Sequence, residues 1–182
     1  MKDLVTGFRA LVCFTLLTGG LYPAIVTVAA NLFSSHKASG SLVTREGVTV
    51  GSDLIAQGFA GDKYFWPRPS AVKFDAAGSG ATNLSPTSAD FVNAVQGRQA
   101  QGLVAEMRFA SGSGLDPHIG AEAARSQVPR VAGARRLSPE QRRALALLLE
   151  TQIEPRQFGF LGQPRVNVLR LNVLLDETFG NQ

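Results

Sequence analysis

The residues best suited to chemistry lie in one short run, Ala110-Ser111-Gly112-Ser113-Gly114-Leu115-Asp116-Pro117-His118. Serine, aspartate and histidine this close together suggest a catalytic triad. The alternating glycine and serine suggest a nest of backbone N–H groups for phosphate. The spacing argues against both. A nucleophile elbow reads Gly-x-Ser-x-Gly, whereas Ser111 stands two residues before Ser113. Triad members are normally brought together from distant segments by the fold. The motifs Gly-x-x-x-x-Gly-Lys-Ser/Thr and Gly-x-Gly-x-x-Gly are absent from the chain. The plainer expectation is a tight turn in which Gly112 and Gly114 supply backbone freedom. Asp116 then caps a following helix, with Pro117 at its first position and His118 in a structural role.

Other chemistry is thinner. His36 and His118 are the only histidines and Cys13 the only cysteine, and no carboxylate spacing resembles a calcium loop, so no metal site is expected. Arg125, Arg130, Arg135, Arg136, Arg142 and Arg143 crowd one stretch. A solvated helix face is the first reading, with docking to acidic lipid or an acidic partner as the alternative. Tyr64, Phe65, Trp66 and Arg68 stand beside Pro67 and Pro69. Aromatics and arginine on stiff backbone suit an interface hot spot, and burial in the domain's own core competes with that reading. The formal net charge of +4 is too mild to suggest a nucleic-acid surface.

The elements that would position these groups follow from pattern. Residues 41–44 and 48–50 flank Arg45-Glu46-Gly47 and read as a hairpin. Ser52 can cap a short helix through Phe59. Residues 61–87 hold glycine, proline and serine throughout and read as a long irregular segment. Ser88 opens a helical pattern to about Met107, with Phe91, Val95, Leu103 and Met107 facing inward. A second helical stretch covers 119–136, interrupted by Pro129. Ser138-Pro139-Glu140-Gln141 is a capping box, followed by Leu145, Leu148, Leu149 and Ile153 at helical spacing. The end, from Arg165 to Phe179, reads as a strand passing into a short helix. The fold class expected is α+β.

Ahead of that domain, Ala10 to Phe33 carries no charge and is long enough to cross a bilayer. The expected layout is a cytoplasmic tail at 1–9, a transmembrane helix at 10–33, a linker at 34–40 and one extracytoplasmic domain at 41–182. Lys2 and Arg9 set that orientation against Lys37 beyond the run. A cleaved signal ending at Val28-Ala29-Ala30 is the competing reading, although the apolar run continues past it. Within the run, Gly19, Gly20, Pro23 and Ala24 form a notch and a kink that suit packing against another membrane helix. Cys13 lies in the run, so no disulfide supports the domain and a hydrophobic core must.

The segments LLTGGLYPAIVT, GSDLIAQGF, YFWPRPSA, SGSGLDPHI, QVPRVAGAR and RVNVLRLN, in this order, resemble the C subunit of the bacterial Kdp potassium-transporting P-type ATPase. One departure is Ala105-Glu106-Met107-Arg108-Phe109-Ala110, where relatives carry a run like Pro-x-Asp-Leu-Val-Thr. The resemblance implies an inner-membrane complex importing K⁺ at the expense of ATP, with a pore subunit and an ATP-hydrolysing subunit as partners. ATP and Mg²⁺ would be used by the latter, and this chain would bind no cofactor itself. It would assemble the complex and act as a catalytic chaperone raising the partner's ATP affinity. The Asp-Lys-Thr-Gly phosphorylation motif is absent. A membrane-tethered hydrolase using Ser113 and His118, or a secreted binding protein released after Ala30, are the alternatives from other classes.

Overall fold

The computed structural model describes residues 1–180. The chain divides into two units, residues 1–42 and 43 onward. In the first, α1 (Lys2–Leu16) runs into a π-helical turn at Leu17–Leu21 and on into α2 (Tyr22–Ala38). The Tyr22 N–H reaches back to the Leu17 carbonyl. Pro23 brings no N–H, so the ladder is interrupted there, and the wide turn sits directly ahead of it. The Thr18 hydroxyl donates to the Phe14 carbonyl at 2.6 Å. No residue of α1 or α2 is buried. Together they form one helix, Lys2–Ala38, long and apolar enough to cross a membrane. Residues 34–38, expected as part of a linker, continue the helix past a break at Ser34 (φ −153°). His36 and Lys37 near its C-terminus favour that continuation through the helix dipole.

The second unit mixes helix and sheet, as expected. β1 (Leu42–Arg45) and β2 (Val48–Ser52) pair through a two-residue turn. Glu46 and Gly47 both take positive φ there, the geometry such a turn demands. The helix expected from Ser52 to Phe59 does not form. The Ser52 hydroxyl accepts the Leu54 N–H, while the Ala56 N–H goes to the Leu115 carbonyl and the Gln57 side-chain amide to the Val50 carbonyl. The Ala56 N–H, which a helix would have turned back on Ser52, is thereby committed to another segment. Residues 61–87 contain no helix or strand.

The helix expected from Ser88 to Met107 is two. α3 (Ala89–Ala100) is capped by the Ser88 hydroxyl, and Gly102 at φ +76° ends it before α4 (Ala105–Arg108). Of the four inward positions only Met107 is buried; Phe91 stacks on Phe109 with ring centroids 6.0 Å apart. β3 (His118–Gly120) leads into α5 (Ala121–Ala134), which holds Pro129 without breaking. α6 (Pro139–Gln152) opens with the full capping box at Ser138 and Gln141 and buries Leu145 and Leu149. β4 (Arg165–Asn167) runs directly into α7 (Val168–Phe179). β3 and β4 pair antiparallel, with Ile119 opposite Val166. Phe65, Met107, Ile119, Leu145, Val166, Leu171 and Leu175 form the centre of the core.

Candidate functional site

The short β3–β4 ladder joins the run around Ser113 to the run around Asn167. His118 faces Asn167 and Gly120 faces Arg165, and the Val168 N–H donates to the Pro117 carbonyl at 3.0 Å. Two motifs far apart in the chain are therefore one structure.

The Tyr64–Pro69 segment lies against them, held by side-chain amides in place of a strand. Asn172 on α7 donates from Nδ2 to the Phe65 carbonyl and accepts the Phe65 N–H at Oδ1, both at 2.9 Å. Gln127 on α5 does the same for Trp66, accepting its N–H at 2.8 Å and donating to its carbonyl at 3.1 Å. Each amide supplies a donor and an acceptor side by side, as a neighbouring strand would. Phe65 is fully buried and Trp66 half-buried. Of the two readings of this segment, core burial applies to Phe65.

The Ser111–His118 segment is a chain of turns bonded both within itself and to the segments beside it. The Ser111 N–H donates to the Pro69 carbonyl and the Gly114 N–H to the Ser111 carbonyl. The Ser113 hydroxyl accepts the Leu115 N–H at 3.1 Å. Asp116 does not cap a helix: its carboxylate accepts the His118 N–H at 3.0 Å, and a strand follows. Pairing with β4 competes successfully with the Asp-Pro start signal. His118 Nδ1 lies 3.7 Å from the same carboxylate and an Arg68 nitrogen 3.9 Å from it. The side chain of His118 holds the Asp116 carboxyl below the usual carboxylate range, against the opposing effect of burial. Arg68 also donates to the Ala110 carbonyl at 3.2 Å, while its Nε is buried with no partner among the described residues.

Beside this turn, Glu106, Asp116, His118 and Arg165 line an open cleft of about 230 Å³. Glu106, from the stretch that departs from the family pattern, accepts the Gly120 N–H with both carboxylate oxygens at 2.9 and 3.0 Å.

The two glycines of the turn differ, against expectation. Gly114 has φ +70°, and a Cβ there would meet the Gly80 carbonyl oxygen at 2.9 Å. Gly112 has ordinary φ and nothing within 4 Å, so backbone freedom is not required of it. Gly114→Ala is expected to cost about 2 kcal/mol or more, from left-handed strain and the clash. Gly112→Ala is expected to stay within about 0.5 kcal/mol. Thermal melting of the two variants checks the contrast, and equal loss in both would refute it.

The arginine stretch is not a uniformly solvated face. Arg130 lays its guanidinium 3.5 Å over the centre of the Trp66 ring and donates to Gln127 Oε1 at 2.6 Å. Arg135 is buried, donating to Asp176 Oδ1 at 2.5 Å and to the carbonyls of Lys63 and Gly180. Asp176 also takes Arg45 at 3.1 Å and the Tyr64 hydroxyl at 3.2 Å. Burial pushes the Tyr64 phenol up, and the Asp176 carboxylate adds to it. Arg125, by contrast, does pair on the surface, with Glu150.

Sequence reasoning missed Gln127, Asn172, Asp176 and Glu106. The available signal was a polar residue on an otherwise apolar helix face: on α7, Asn172 and Asp176 stand four residues apart among Val168, Leu169, Leu171 and Leu175. In the membrane-type helix, Gly19 and Gly20 fall in the π-helical turn and Pro23 and Ala24 just after it, with open space around both glycines.

The family model described as "K+-transporting ATPase, c chain", KdpC, matches residues 4–177. The potassium-transporting ATPase KdpC subunit of Geobacter sulfurreducens is 46% identical, over 97% of this chain and 98% of its own. That of Rhodospirillum rubrum is 48% identical over 93% and 94%, and that of Cereibacter sphaeroides strain KD131 45% over 97% of each.

Proposed function

Because this chain belongs to the KdpC family of K⁺-transporting ATPase c chains, we propose that it is the non-catalytic accessory subunit of a potassium-importing ATPase complex. It assembles and stabilises the pore subunit and the ATP-hydrolysing subunit. Lys2–Ala38 anchors it in the inner membrane, with the N-terminus cytoplasmic and the folded domain outside, as the cations at Lys2 and Arg9 favour. The open face at Gly19, Gly20, Pro23 and Ala24 packs against a partner helix, because small residues let backbones approach closely in lipid. K⁺ is the transported ion, and ATP with Mg²⁺ is used by the partner. Any rise in the partner's ATP affinity travels through the assembled subunits as a coupling free energy, since the domain and the nucleotide lie on opposite sides.

The observation that carries the non-catalytic reading is how Ser113, Asp116 and His118 use their side chains. Ser113 and Asp116 accept neighbouring backbone N–H groups, and Asp116 is the group beside His118. The tagged chain, purified in mild detergent, should bring down two large membrane subunits with K⁺-stimulated ATPase activity. Ser113→Ala removes one exposed hydrogen bond and should leave that activity within about twofold of wild type. Loss of activity from a complex that still assembles would give Ser113 a chemical role.

A further inference from the structure

Phe158 and Phe160 are the most exposed large apolar side chains of the folded domain, at 87% and 74%, with Leu161 beside them at 52%. They share one tight loop whose form is built in. Gln157 and Leu161 exchange both backbone hydrogen bonds at 2.9 Å, and behind them Glu154 and Arg165 do the same at 2.8 and 3.1 Å. An ion pair between Glu154 and Arg165 at 2.9 Å ties the base of the stalk. At the tip, Phe158 stands at φ +53°, next to Gly159 at +83°. A bulky residue in left-handed backbone, with its ring in solvent, is unfavourable on both counts and points to use rather than folding.

The surroundings discriminate between occupants. Arg165 is paired, so Arg156 is the one cation beside the tip without an acidic partner among the described residues. Anionic lipid surfaces are met by clusters of cations, and membrane interfaces favour Trp and Tyr, and this tip has neither. A compact apolar centre rimmed by Gln157, Gln163 and one arginine is the pattern of a protein hot spot. We propose that the Phe158–Leu161 tip is a preformed plug that seats in an apolar, acid-rimmed pocket on a partner subunit of the same complex. This rests on the assembly reading given above.

The test places the photo-crosslinker p-benzoylphenylalanine at Phe158 in the full chain, within the detergent-purified complex. A matched chain carries it at Leu147, which is 68% exposed on α6. Irradiation is expected to give an adduct with one partner subunit from position 158, on the order of tenfold above position 147. An adduct with phospholipid alone overturns the proposal in favour of a membrane contact. No adduct while the partners co-elute overturns it in favour of a solvent-exposed tip. If the unmodified chain brings down no partner, the assembly reading fails, and the seat with it. The double variant Phe158→Asn with Phe160→Ser keeps a residue that tolerates positive φ at the tip. It should melt with wild type, yet lose about tenfold in partner recovery after stringent washing. Undiminished recovery would likewise overturn the plug.

Discussion

Asn172→Leu is expected to destabilise the domain by roughly 2–6 kcal/mol, because it strands two buried backbone groups at once. The substitution keeps a side chain of similar bulk in a position that is 1% exposed, so cavity formation is not the cause. What disappears is the pair of 2.9 Å hydrogen bonds to the N–H and carbonyl of Phe65, itself fully buried. Each group left unpaired away from water costs about 1–3 kcal/mol. Residues 61–87 contain no strand, so no ladder of their own holds these groups. The melting temperature of the detergent-solubilised chain should fall on the order of 10 °C. Gln127→Leu should follow in the same direction, with a smaller effect because Trp66 is only half-buried. A melting curve for Asn172→Leu that overlays wild type would show that the Tyr64–Pro69 segment is held by something other than the amide.

Breaking the ion pair between Arg135 and Asp176 is the second large effect. Arg135→Met leaves the Asp176 carboxylate buried with Arg45 as its remaining cation, at 3.1 Å and on the more exposed side. Removing one partner of a buried pair typically costs about 3–5 kcal/mol, most of it the penalty of the charge left behind. It also removes the hydrogen bonds that Arg135 donates to the carbonyls of Lys63 and Gly180. Asp176→Leu should cost a similar amount and remove the bonds that Arg45 and the Tyr64 hydroxyl donate to Asp176 as well. The double variant Arg135→Met with Asp176→Leu should be less damaging than the sum of the two, because both buried charges are then gone and only the more exposed Arg45 loses its partner. Denaturant unfolding of the four proteins gives the coupling directly. Strict additivity would mean that the pair contributes nothing beyond its separate hydrogen bonds.

Local signals in the chain were readable where the cause was local. The Ser138–Gln141 capping box depends on four consecutive residues, and it forms. The Glu46–Gly47 turn and the Ser88 cap are similar cases. Errors arose where a tertiary contact overrode a local preference. Ser52 is a good cap, but Ala56 and Gln57 are engaged by Leu115 and Val50. Asp116-Pro117 is a good helix start, but His118 pairs with Asn167 across the β3–β4 ladder. Arg135 sits in a stretch whose charge pattern suggests solvent, and only the approach of α7 provides Asp176 to bury it against.

By itself, then, the sequence determined the uncharged run that suits a bilayer, the mixed helix and sheet content, and the ordered motifs that carry the family. Those depend on hydropathy, spacing and identity, which are properties of the chain in one dimension. Only the tertiary structure decided that Asn172 and Gln127 stand in for a strand beside Phe65 and Trp66. It alone decided that Gly114 needs its missing Cβ while Gly112 does not, because the Gly80 carbonyl approaches one and nothing approaches the other. A hydrogen bond between residues 107 positions apart leaves no periodic trace in the sequence, since its geometry exists only once the distant segments have packed.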